Sequence, residues 1–263
     1  VCFEMGVVLR RTAFSPNIKD RLDYSCALFD AAGGLCAQAA HIPVHLGSMA
    51  YAMAAVVSRF QWQPGDVVIL NDPYLGGTHL PDVTFISPVF AESGLLAFVV
   101  NRAHHANIGA ATPGSMLVSS TLEEEGLLIA PRYLYRAGLL QADICTELLS
   151  ALGSGSVVTS GQVPGFALTG DMAAQFSANQ VGVERLLLLV ARMHAQAFTE
   201  GLQALNAYGE YLARTALQDI PQGTYTFRDV MDDDGQGARD LGISLRITVT
   251  AEGLLVDFDG TQA

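Results

Sequence analysis

Residues Asn71 to Gly109 read NDPYLGGTHLPDVTFISPVFAESGLLAFVVNRAHHANIG, and this stretch decides how the chain is read. Three of the six histidines fall here: His79, His104 and His105. Pro81 sits between His79 and Asp82 and opposes a continuing helix, so that pair is expected in a loop. Val83 to Phe90 and Leu95 to Asn101 are rich in β-branched and aromatic residues, and Ala91-Glu92-Ser93-Gly94 between them is turn-like. The pattern predicts a β-hairpin. With its turn centred between Glu92 and Ser93, Asp82 faces the neighbourhood of Ala103 and His104. Opposed side chains on one face lie about 5 Å apart. Asp82, His104 and His79 therefore converge at the open end of the hairpin. Two imidazoles and a carboxylate suit a divalent metal, and they equally suit a plain hydrogen-bonded cluster. A slip of one residue would present His105 instead.

Working outward, Val67 to Leu70 is an apolar run expected as a buried strand, delivering Asn71-Asp72 and the Gly76-Gly77 pair at its carboxyl end. No Gly-Lys-Ser/Thr follows, so this is not a phosphate-binding loop, and no dinucleotide fingerprint occurs. Upstream, Phe3 to Thr12 is expected as a helix presenting Phe3, Val7 and Val8 on one face. Tyr24 to Phe29 and Leu35 to Ala39 are expected as a second hairpin. His41 and His45 flank Pro43, so one helical face for both is doubtful. They are structural loop residues, or else a substrate wall or outer support beside the main cluster. Ser48 is expected to cap a helix from Met49 to about Phe60.

Downstream, Asn107 to Met116 is a loop. Glu123-Glu124-Glu125 is a solvated run in which one glutamate could serve as a general base. Leu127 to Ile129 and Tyr133 to Tyr135 are short extended candidates, Ile144 to Leu152 a helix, and Gly153 to Gly165 a flexible connection. Asp171 is expected to cap a helix from Met172 to about His194, followed by a helix over Phe198 to Leu217. Thr224 to Phe227 is a strand, Asp232 to Gly235 a turn, and Ile243 to Thr250 with Leu254 to Phe258 a last hairpin. The fold class is mixed α/β, with hairpins in the N-terminal half, a helical middle and a C-terminal β-hairpin.

The 263 residues carry a net charge of -12, which argues against a nucleic-acid backbone as partner. No apolar run is long enough to span a membrane. The four cysteines, Cys2, Cys26, Cys36 and Cys145, form no Cys-x-x-Cys pair, and reduced thiols in a cytoplasmic setting are the default expectation.

The segments RTAFSPNIKDRLDYSCALFD, AQAAHIPVHLGSM, GDVVILNDPYLGGTHLPDVTFISPVF, NRAHHANIG and PGSM resemble the hydantoinase B/oxoprolinase family, as do GDMAAQFSANQVGVERL and FDGTQA. The likeness covers essentially all of residues 1–263 and implies the N-terminal portion of such a domain, truncated at the C-terminus. It implies an ATP-dependent cyclic amide hydrolase subunit, opening a hydantoin or 5-oxoproline ring, in a hetero-oligomer with a hydantoinase A-type ATPase that binds the ATP. The 5-oxoproline substrate would connect it to glutathione metabolism. Relatives that are acetone or acetophenone carboxylases make carboxylation the alternative reading, and an inactive partner-binding fragment is a second alternative. The resemblance puts a divalent metal (Mn, Zn or Fe) on His79, Asp82 and His104. With it, His105 is the candidate general base or orienting group, and Arg102 the grip on a substrate carboxylate or phosphate, unless it pairs with Asp72 or Asp82. His41, His45, Asp72 and Asn107 are the candidate substrate contacts. Asn107 departs from the aspartate that many members carry there.

Overall fold

The computed structural model describes residues 1–39, 41–114, 118–152, 157–159 and 167–262. In chain order they form α1 (Cys2–Thr12), α2 (Pro16–Lys19), β1 (Tyr24–Asp30), β2 (Leu35–Gln38), α3 (His45–Val56), β3 (Val67–Leu70), β4 (Asp82–Ala91) and β5 (Gly94–His104). Next come α4 (Leu122–Glu125), β6 (Arg132–Arg136), β7 (Leu139–Leu140), α5 (Ala142–Leu152), β8 (Val157–Thr159) and β9 (Ala167–Thr169). Two long helices, α6 (Gly170–Met193) and α7 (Ala195–Gln218), lead to β10 (Gly223–Asp233), β11 (Arg239–Val249) and β12 (Leu254–Asp257). None of these helices is long and apolar enough to cross a membrane.

Two compact units result: residues 1–117 with 121–202, and residues 118–120 with 203–263. The first is built on a seven-stranded antiparallel sheet in the order β2-β1-β5-β4-β3-β6-β7. Its centre is the expected hairpin, β4 against β5, with Asp82 opposite His104. Eight successive residues from Asp82 to Val89 are buried, because both faces of the sheet are covered. That explains a continuous apolar run in place of strict alternation.

Parity along the strands decides what each face meets. Ile86, Phe98 and Val100 pack with Met49, Ala52, Met53 and Val56 of α3. Val99 and Ala103 pack with α1 and α6, while Val83 and Phe85 meet α5 and the start of α6. Burying one such side chain contributes about 1.5–3 kcal/mol. The second unit carries the three-stranded sheet β10-β11-β12, with Thr224 paired to Thr248 and Ile247 to Val256.

Several local expectations are corrected. Helix α1 buries Met5, Gly6 and Leu9, whereas Phe3 is 73 % exposed, so the buried stripe lies one position round from the expected face. Helix α3 begins at His45, and the Ser48 hydroxyl donates back to Val44 O from inside the first turn. Thr169, not Asp171, caps α6. The Asp171 carboxylate instead accepts from Phe14 N and Ser15 N, tying the end of α1 to the start of α6. Asp232 and Asp233 extend β10 rather than starting its turn. Leu127 to Ile129 form no strand; they are held by Asn71, whose side chain donates to Leu127 O and accepts from Ile129 N. The connection expected over Gly153 to Gly165 contains β8, its remainder lying outside the described residues, as does the end of the Asn107–Met116 loop.

Candidate metal centre

The carboxyl end of β5 and the amino end of β4 put His104 and Asp82 side by side on the α3 face. The loop before β4 turns His79 onto the same spot, since Asp82 N donates to His79 O. His79 Nε2 lies 3.1 Å from His104 Nδ1 and 3.1 Å from Asp82 Oδ1, and His104 Nδ1 lies 3.2 Å from Asp82 Oδ1. These atoms make a nearly equilateral triangle. Three donors each about 2.1 Å from one cation sit about 3.0 Å apart when mutually perpendicular and about 3.4 Å apart when tetrahedral. The observed edges fall between those values. Asp82 Oδ1 is buried and, among the described residues, has no hydrogen-bond partner, despite two imidazole nitrogens within 3.2 Å. A buried carboxylate oxygen left in that condition is costly unless something else binds it. The donor set therefore fits a divalent cation by residue type and by spacing.

The carboxylate's other oxygen is occupied by the protein. Asp82 Oδ2 accepts from the Thr78 hydroxyl and lies 3.2 Å from His45 Nε2. Burial raises the Asp82 pKa, but the imidazoles of His104, His45 and His79 outweigh it and hold the carboxyl well below the usual range. The neighbouring Asp82 raises the His79 pKa, against the lowering effect of partial burial, and the charge of Glu125 adds in the same sense. His79 is 32 % exposed where Asp82 and His104 are 2 %, so the triangle is approached over His79.

Three members of this cluster escaped the sequence reading: Asp23, Ser25 and Thr78. Asp23 Oδ2 lies 3.6 Å from His104 Nδ1, and Asp23 Oδ1 lies 3.9 Å from His45 Nε2. Asp23 and Ser25 arrive because β1 pairs with β5, with Tyr24 opposite Ala103. The cue was the run of residues entering β1, but nothing in the sequence states that β1 flanks β5.

The remaining candidates lie elsewhere or face otherwise. His105 points to the opposite face, where its Nε2 lies 2.7 Å from Gln175 Oε1 and burial lowers its pKa. The strand register thus presents His104 and turns the expected base away from the cluster. Arg102 lies on the correct face, yet it is fully buried. Its guanidinium donates to Thr84 Oγ1, Ser48 Oγ and Gly76 O, so it grips the protein rather than a ligand. It makes no ion pair with Asp72 or Asp82 among the described residues. Burial pushes its pKa down to about 10, with the Asp82 charge opposing. His41 accepts from Cys26 N at Nδ1 and its ring meets Tyr24 and Gly6, on the α1 side of the sheet. Asp72 caps a single turn by accepting from Tyr74 N. Asn107 accepts from Gly109 N and donates to Leu152 O. Of the four expected substrate contacts, His45 alone touches the cluster.

All of residues 1–263 match the family model described as hydantoinase B/oxoprolinase. The chain belongs to the hydantoinase B/oxoprolinase family. It is 34% identical to a 5-oxoprolinase of Saccharomyces cerevisiae, over 100% of this chain and 21% of that protein. It is 30% identical to a subunit of the putative D-/L-hydantoinase of Pseudomonas sp. (strain NS671), over 100% of this chain and 45% of that protein. Among solved structures it is similar to the ATP-dependent caprolactamase of Pseudomonas jessenii, with a TM-score of 0.82, 28% identity, and 97% and 43% of the two chains covered. The chain thus spans less than half the length of each of these relatives.

Proposed function

We propose that this chain supplies the metal-binding, ring-opening site of an ATP-dependent cyclic amide hydrolase acting with a hydantoinase A-type ATPase. The triangle of His79 Nε2, Asp82 Oδ1 and His104 Nδ1, with Oδ1 left without a hydrogen bond, is the observation that carries it. His79, Asp82 and His104 would hold the cation, with Asp23 the nearest further carboxylate. A divalent cation bound there supplies Lewis acidity for a carbonyl or a water nucleophile. The names of the similar proteins support a lactam or hydantoin ring as substrate, because oxoproline, hydantoin and caprolactam are all cyclic amides.

This chain's own groups then have separable tasks. Asp82 turns one oxygen to His79 and His104 while Thr78 and His45 hold the other. Arg102 fixes the loop through Gly76 O, and so sets the position of His79 three residues on. His105, held by Gln175 on the opposite face, is not on hand there as a proton acceptor. Activation of the amide by ATP belongs to the partner in this reading.

The test uses the full-length protein with its ATPase partner. Near-stoichiometric divalent metal, together with ATP-dependent opening of 5-oxoproline or hydantoin without added bicarbonate, is the expected result. Turnover that requires bicarbonate and fixes it into product would replace ring opening with carboxylation. A folded protein that binds no divalent metal would overturn the metal-centre assignment.

A further inference from the structure

We propose that His45 is a positioning residue that divides the two oxygens of Asp82, holding Oδ2 for the protein so that Oδ1 stays free for the cation. The inference rests on the metal-centre reading above and adds a specific outer support to it.

His45 is fully buried at the first turn of α3, and both ring nitrogens have partners. Nε2 lies 3.2 Å from Asp82 Oδ2, and Nδ1 lies 3.1 Å from Ser25 Oγ. The direction of the bond to Asp82 follows from the neighbours. Asp82 Oδ2 accepts the Thr78 hydroxyl, so it acts as an acceptor and His45 Nε2–H must donate to it. On the other side of the ring, Nδ1 meets the Ser25 hydroxyl at 3.1 Å. That hydroxyl's other option, Ile42 O, is farther away at 3.5 Å. The chain Ser25 to His45 to Asp82 therefore orients the ring and one carboxylate oxygen together.

Without it, Asp82 could turn or bind the cation through both oxygens, and the triangle would lose its spacing. Outer groups that orient ligands in this way typically change metal affinity by about 10–100-fold when removed. His45 reaches the cluster from α3 and Ser25 from β1, so the alignment joins three separate elements.

The experiment titrates cobalt(II) into the full-length protein and reads three quantities: affinity by chelator competition, the visible absorption of the bound ion, and thermal unfolding without metal. Gln places an N–H near the position of imidazole Nε2, whereas Asn is too short. The expected order is wild type, then His45→Gln close behind. His45→Asn and His45→Leu should be weaker by about 10–100-fold with an altered absorption band. Ser25→Ala should fall by about tenfold, the lower end of that range. A purely structural role predicts instead that affinity tracks thermal stability across the series. That outcome, or an unchanged affinity and band in His45→Leu, overturns the assignment. If His45→Leu does not fold, the Gln–Asn difference and Ser25→Ala decide it in the same way. A wild-type protein that binds no cobalt(II) overturns the metal-centre reading itself, which is a different result from wild-type binding unaffected by the variants.

Discussion

The two faces of the β4–β5 hairpin, one residue apart in register, carry polar clusters of opposite character. On the α6 face, Gln175 donates to Val83 O and Asn101 Oδ1, and its Oε1 lies 2.7 Å from His105 Nε2. Asn101 donates to Gln175 O and Asn179 Oδ1, and Asn179 donates to Phe85 O and Ser87 Oγ. The members of this network carry no formal charge and their amide groups are used. On the α3 face the groups are ionisable, three donor atoms crowd within 3.2 Å, and Asp82 Oδ1 is left over. Saturated neutral networks fix a fold, whereas a buried polar atom left without a hydrogen bond calls for an explanation beyond the fold. Residue type alone does not separate them, since histidines sit on both faces.

Substitutions on either side can break this contrast. The largest expected effect is loss of bound metal in His79→Ala, Asp82→Asn and His104→Ala, measured by elemental analysis of purified protein. Unfolding of the metal-free protein should change far less in His79→Ala, because His79 is partly exposed. Retention of metal in all three variants would remove the distinction between the faces.

Gln175→Leu should have the reverse profile. It removes the side-chain partner of Asn101 Oδ1, Val83 O and His105 Nε2, which costs about 1–3 kcal/mol per buried group left unsatisfied, so the midpoint of denaturant unfolding should fall while metal content stays. Metal loss without destabilisation in this variant would mean that the α6 face also serves the site directly.

Gly76→Ala sharpens the role of the loop carrying His79. Gly76 has φ +86°, and an added Cβ would run into the backbone of Ala52. Strain of about 1–3 kcal/mol is expected, together with weaker metal binding, read by calorimetry on the same preparation.

The smallest effect is a pH dependence at His41. Burial, with the neighbouring His45 adding to it, lowers the His41 pKa below its usual value, and neutral Nδ1 accepts from Cys26 N. Between the folded pKa and about 6.5 the unfolded chain binds the extra proton. Stability should therefore fall as pH drops below about 6.5 and level off once pH passes the folded pKa. His41→Gln should flatten that part of the stability–pH curve.

Much of the hairpin was legible because its signals are local. Two β-branched runs around Glu92-Ser93 set the turn and brought Asp82 to the neighbourhood of Ala103 and His104, and the register shift between Val89 and Phe90 is what sets it opposite His104. The period of two along the strand, counted one residue further, turns His105 to the other face, beside Gln175. The buried stripe of α1 and the caps of α3 and α6 were missed for a different reason. Asp171 is a good capping residue by type, but the backbone of Phe14 and Ser15 competes for its carboxylate. Arg102 looked like a ligand grip because arginine suits anions. Its partners, Ser48, Gly76 and Thr84, come from three segments that sequence separation hides.

By itself, the sequence determined the hairpin, the approach of Asp82 to the neighbourhood of His104, the family, and the lack of a Gly-Lys-Ser/Thr motif after Gly76-Gly77. These depend on short-range periodicity and on motifs within a few residues of one another. Only the tertiary structure brought Asp23 and Ser25 in on β1, delivered His45 on α3, and set one oxygen of Asp82 against His79 and His104 and the other against Thr78 and His45. Those choices depend on which strand lies beside β5 and which helix covers its face. Such pairings are fixed by burying apolar surface across distant parts of the chain, which no local pattern encodes.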